Sequence, residues 1–125
     1  MPIRQRTLIG QPLRVILRQC LDRVVPMFRA ETALYREILT SMESVARGDV
    51  VAGMVAEGTR RFAELLGRMA IAPDSAERAA WIVVTALVAV VRTAARERPA
   101  LLDDPAFIDD LERMTLRYLL PDDRS

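Results

Sequence analysis

The sequence predicts an all-α fold, a bundle of about five helices around a single core. Three observations predict it. Apolar residues recur at three- and four-residue steps along most of the chain, the period of an amphipathic helix. Residues that start and stop helices, among them Pro12, Gly48, Asp74, Asp104 and Pro121, fall between the periodic stretches. The β-branched runs "RVVPMF" and "DVVAGMV" lie inside those stretches, so no strand pattern stands apart from them. A length of 125 residues suits one domain, able to bury roughly two-thirds of its unfolded surface without disulfide staples.

The first helix opens near Pro12, a residue favoured at the first helical position. Leu13, Leu17, Cys20, Leu21, Val24 and Phe28 give it one face, and Pro26 predicts a kink or an end nearby. A second helix starts with Thr32 as N-cap and carries Leu34, Tyr35, Ile38, Leu39 and Met42. Gly48 suits a left-handed helix end and Asp49 the next N-cap, so the third helix is expected from about Val50 to Met69. Its stripe is Val51, Met54, Val55, Phe62, Leu65, Leu66 and Met69, with Glu57–Arg61 and Glu64–Arg68 pairs outside. Gly53, Gly58 and Gly67 are costly in a helix, and close approach of another helix is one reason for them. The fourth helix starts with Asp74 and Glu77 in a capping-box pattern and runs to about Glu97, ahead of Pro99. The fifth has Asp104 as N-cap and Pro105 in its first turn. Phe107, Leu111, Met114 and Tyr118 form its stripe beside Ile108 and Leu119, and Pro121 stops it.

"AAWIVVTALVAVV", Ala79 to Val91, has a single side-chain hydroxyl and no polar face. A helix apolar all round is buried all round, and four neighbours in a small bundle do not easily enclose a fifth. A second copy of the chain covering part of it is the economical solution, and a two-fold dimer is the commonest assembly. The expected interface is Val83, Leu87, Val90 and Ala94 on this helix, with Phe107, Leu111, Met114 and Tyr118 on the last. The stretch would span about 20 Å against a hydrocarbon core of about 30 Å and lies between Arg78 and Arg92, so no membrane span is expected. "MPIRQRTLIG" has no long apolar region behind its charges and does not read as a signal peptide. A cytoplasmic location is the expectation.

Composition narrows the chemistry. There is no histidine, which excludes His-based triads, Cys–His pairs and imidazole metal sites. The single cysteine, Cys20, allows no internal disulfide and reads as a small core residue. Asp109 and Asp110 point about 100° apart on a helix, and the pairs Asp103/Asp104 and Asp122/Asp123 suit caps and solvated surface. No glycine loop for phosphate is present. The expectation is no enzyme, no cofactor and no metal. A net charge of +1 gives no general argument for nucleic acid. The second helix offers Tyr35, Arg36, Thr40 and Ser41 to a DNA groove, but Glu37 and Glu43 would face phosphates badly.

The segment "AAWIVVTALVAVVRTAARERPALLDDPAFIDDLERMTLRYL" resembles the final two helices of TetR-family transcriptional regulators, and "PLRVILRQCLDRVVPMFRAETALYREIL" looks like the first helices of the same regulatory domain. Many members carry an acidic residue followed by Gly where this chain has Val88 and Ala89. The resemblance implies residues 1–11 as an N-terminal extension, 12–120 as a regulatory ligand-binding and dimerisation domain, and 121–125 as a tail. It further implies a four-helix interface made by the last two helices of each protomer, and a pocket for a small hydrophobic effector. DNA would be bound only through a helix-turn-helix head that precedes the domain and is not in this chain, making it an excised regulatory domain or a naturally headless protein. The expected lining of the pocket is Cys20, Val24, Met27, Phe28, Tyr35, Met54, Phe62, Trp81 and Thr85, with Met42 beside them. Methionines adapt to irregular partners, while Tyr35, Thr85 and Trp81 supply a few hydrogen-bonding groups in an apolar chamber. Two other readings share the fold. One is a stand-alone module that pairs with a full-length regulator, and the other is a small carrier of a lipid or acyl group.

Overall fold

The computed structural model describes residues 12–28 and 43–121, with side chains described from residue 52 onward in the second of these stretches. Helix α1 covers 12–28, α2 Glu43–Leu66, α3 Ala76–Glu97 and α4 Pro105–Leu119, with a 3-10 turn at Pro99–Asp103 between the last two. No strand occurs among the described residues. The all-α architecture is as the sequence predicts. The expected second helix, Thr32 to Met42, lies outside the described residues.

α1 runs from Pro12 through Pro26 to residue 28. Its inward side is Leu13, Leu17, Leu21, Val25 and Phe28, all buried. Cys20 and Val24 were expected on that face. Cys20 instead lies exposed and Val24 half-buried, because the steps 21, 25 and 28 hold the inward line and turn position 20 aside.

α2 departs most from expectation. It begins at Glu43 and passes through Gly48 and Asp49 without a break. No described glycine takes a positive φ, so Gly48 is not the left-handed end that its position suggests. A glycine weakens a helix by about 1 kcal/mol relative to alanine without ending it. The helix stops at Leu66, and Arg68 and Met69 continue as a tight turn through bonds to the carbonyls of Leu65 and Leu66. Phe62 and Leu66 are its buried anchors, whereas Met54 is 57% exposed. A Cβ built at Gly53 or Gly58 would meet nothing within 4 Å. Close helix approach is therefore not what these two positions serve among the described residues.

α3 is capped by Ser75, whose side chain accepts from the Arg78 N–H at 3.1 Å. The cap expected at Asp74 thus falls one residue later, at Ser75, and Asp74 pairs with the Arg78 guanidinium instead. The helix ends at Glu97, as Pro99 predicts, with the Arg98 N–H closing on the Ala94 carbonyl at 2.8 Å. Asp104 caps α4 by accepting from the Ala106 N–H at 3.0 Å. At its far end, the Ala72 N–H in the α2–α3 connection donates to the Leu119 carbonyl at 2.9 Å, satisfying one of the acceptors a helix end leaves over.

α3 packs against α2, the 3-10 turn and α4. Its core face is Ala79, Ala80, Val83, Leu87, Val91, Ala94 and Ala95, met by Phe62 and Leu66 of α2, Leu102 of the turn, and Leu111, Leu116 and Leu119 of α4. With 22 residues and about 33 Å of length, α3 is long and apolar enough to cross a bilayer by those criteria alone. The shorter span expected from Ala79–Val91 underestimates it, since the helix takes in its flanking charged turns. Its packed stripe is that of a core helix.

Four substitutions have expected outcomes in urea unfolding. Ser75→Ala lowers stability by about 1 kcal/mol, and Asp104→Ala by a similar amount. Asp74→Ala removes only an exposed helical ion pair and changes stability by less than about 0.5 kcal/mol. Gly58→Ala, with open space around it, stabilises α2 by about 0.5–1 kcal/mol.

Candidate functional site: an open apolar face on the last two helices

α3 turns by about 100° per residue, so the side away from its core stripe carries Trp81, Ile82, Thr85 and Ala89, while Val90, two turns from Val83 and nearly in line with it, is exposed at the stripe's edge. All five are exposed, Trp81 to 61%. The middle of this side, Ile82 to Val90, holds no charge. On α4, Leu111, Thr115, Leu116 and Leu119 point into the core. Thr115 satisfies its hydroxyl on the Leu111 carbonyl at 2.9 Å, which lets it be buried. Met114, 48% exposed, and Tyr118 stand on the other side, with half-buried Phe107 on the same line about two turns before Met114 and three before Tyr118.

A groove joins the two surfaces. It encloses about 340 Å³ and is lined by Ala89, Val90, Thr93, Ala94, Glu97, Arg98, Leu101 and Phe107. Glu97 and Arg98 are its only charged groups. Together the two outward faces form a largely apolar surface that no described residue of the same chain covers. Scattered exposed apolar residues are ordinary, while a contiguous patch of them marks an interaction site.

The residues expected at an interface divide. Val90, Met114 and Tyr118 lie on the open surface and Phe107 at the groove, whereas Val83, Leu87, Ala94 and Leu111 are buried inside the protomer. A helix apolar on both sides gives no sequence sign of which side faces its own core. Ile82, Thr85 and Ala89 take the outward places instead.

The expected pocket lining divides too. Phe28 and Phe62 are core, and Val24 and Met27 are half-buried against it. Cys20, Met54, Trp81 and Thr85 are at the surface, and Tyr35 and Met42 fall outside the described side chains. Neither described cleft is lined by any of these residues. The Cys20 thiol is pushed up in pKa by desolvation around its sulfur, against the opposing charge of Arg23. It is therefore less of a thiolate than a free cysteine, the reverse of an activated nucleophile. Among the described residues, no group of three or more acidic or cysteine side chains could hold a metal ion.

A second seam was not foreseen from the sequence. Arg18 on α1 pairs with Asp109 and, at 2.5 Å, with Glu112 on α4. Arg14 reaches Glu112 at 3.7 Å. The hydrogen bond to Asp109, with the charge of Glu112, raises the Arg18 pKa further. These are the ion pairs that cross between helices among the described residues; the others join positions three or four apart on one helix or at its cap.

No curated protein and no solved structure matches the chain. The sequence model of the family described as "Tetracyclin repressor-like, C-terminal domain" matches residues 12–119, a span that takes in α1 to α4 and both surfaces just described. On that match over most of its length, and on its all-α fold, the chain belongs to the tetracyclin repressor-like C-terminal domain family.

Proposed function

We propose that this chain is the ligand-sensing and dimerisation domain of a TetR-like transcriptional repressor. It acts in the cytoplasm, without enzymatic activity, and binds a small hydrophobic effector. Effector binding alters DNA binding by a helix-turn-helix head lying outside this chain. Domains of this family belong to regulators, which supports the class of function. The observation that carries the reading is the open apolar face of α3 and α4. Ile82, Val90, Met114 and Tyr118 are all exposed in the single protomer, and a second copy set against them removes that surface from water at about 25 cal/mol per Å². Thr85, Ala86 and Ala89 are small and allow the partner's helices to come close. Residues Val90, Phe107, Met114 and Tyr118 are the proposed contacts, with Ile82 and Ala89 added to them.

The effector draws on half-buried Val24 and Met27 and exposed Met54, with Trp81, at the N-terminal edge of the open α3 face, adding a hydrogen-bonding group. Sensing requires the effector to bind two arrangements of the helices with different strengths.

Light scattering on the whole chain is expected to give about twice its 14.0 kDa mass. A mass of one chain at micromolar concentration overturns the dimer. Val90→Glu and Met114→Glu each place a carboxylate where the protomer alone is open, so folding survives. An uncompensated charge buried on association costs about 3–5 kcal/mol, which weakens the dimer roughly a hundredfold or more. For the sensing half, a ligand confined to the folded state at about one hundred times its Kd adds about 2.7 kcal/mol of stability. A melting screen over varied hydrophobic compounds is expected to find one that raises Tm. If none does, effector sensing is withdrawn and dimerisation stands alone.

A further inference from the structure

The α1–α4 seam holds more positive charge than its own carboxylates can match. A cleft of about 360 Å³ lies there, lined by Arg14, Arg18, Arg113 and Arg117 together with Asp109, Glu112, Leu116 and Leu120. Four guanidinium groups face two carboxylates, an excess of two positive charges on a chain whose total is +1.

The pairing inside the cleft is uneven. Arg18 engages both carboxylates, Asp109 and Glu112. Arg14 is left with a 3.7 Å approach to Glu112, which Arg18 already holds at 2.5 Å. The nearest carboxylate oxygen to Arg113 is that of Asp110, at 4.0 Å. Arg117 makes no ion pair among the described residues. Three guanidinium groups thus surround one cavity with most of their donors unmatched, above a floor of buried Leu116 and Leu120. Guanidinium forks match carboxylate and phosphate oxygens two at a time, and such charge-assisted bonds are about twice as strong as neutral ones.

We propose that this cleft binds a small doubly charged oxyanion, either a phosphate or phosphate monoester or a short dicarboxylate. Arg14, Arg113 and Arg117 hold it, and the Arg18–Glu112 pair fixes the wall against which it sits. A dianion balances the excess of two charges among the lining residues, whereas a monoanion leaves half of it and a neutral apolar compound all of it. The site lies outside the apolar lining proposed for the effector. Because it bridges α1 and α4, its occupant is bound only when those helices keep their present spacing.

Inorganic phosphate and succinate, each titrated into the whole chain, test this against sodium chloride at matched ionic strength, which reproduces any effect of general screening. Millimolar phosphate or succinate is expected to raise Tm by about 4 °C or more beyond the chloride control, with saturable heat in calorimetric titration. A rise with one alone identifies which of the two chemistries the cleft takes. Arg14→Gln with Arg117→Gln, both exposed and outside the short ion pairs, should lower the affinity at least tenfold, while Arg96→Gln on α3 leaves it unchanged. If neither anion exceeds chloride by melting or by calorimetry, or if the paired variant binds as wild type does, the proposal is overturned. The dimer and effector readings are unaffected by either result.

Discussion

The inward stripe of α3 is the constraint on which the rest of the structure depends. Ala80, Val83, Leu87 and Val91 recur at three- and four-residue steps and meet apolar side chains from α2, the 3-10 turn and α4. Small residues at positions 79, 80, 94 and 95 let those neighbours come close at both ends of the helix, while Val83, Leu87 and Val91 fill the middle. Because one rod organises three partners, its rotation about its own axis decides which of its side chains are left outside. The open face follows from that choice, since a helix with no polar side must leave something apolar in water once its inner face is assigned.

Much of the fold was legible in the sequence because helix ends are written in local chemistry. Asp104, Pro105, Pro99 and Pro121 act through backbone bonds that reach only a few residues, and they bound α3 and α4 where expected. Failures came where two local signals compete. Gly48 and Asp49 can end one helix and begin another, but either is also tolerated in mid-helix, and α2 runs across both. In "PDSAE", Asp74 and Ser75 are each able caps, and the register of the apolar stripe favours the serine.

The candidate surfaces were harder to read. Periodicity locates apolar residues around a helix but does not say which way the helix is turned, and half the residues expected at the interface are buried within the protomer. Val83 and Val90 stand two turns apart and nearly in line, yet the first is buried and the second exposed. The α1–α4 seam joins positions 91 apart in the chain, and no local pattern announces that Arg18 and Asp109 will meet. Arginines at four-residue spacing, Arg14 with Arg18 and Arg113 with Arg117, were the one available hint that each helix carries a charged edge.

The single bond from the Ala72 amide to the Leu119 carbonyl limits how the last helix can move. Sliding α4 along its axis by even one residue, about 1.5 Å, would carry that carbonyl out of reach and leave a donor and an acceptor unmatched. Its opposite end is held in other ways, by the short 3-10 turn to α3 and by the Arg18 pairs with Asp109 and Glu112 to α1. An axial shift of this helix therefore breaks a backbone bond as well as side-chain contacts, which makes its register along α3 the costliest thing about it to change.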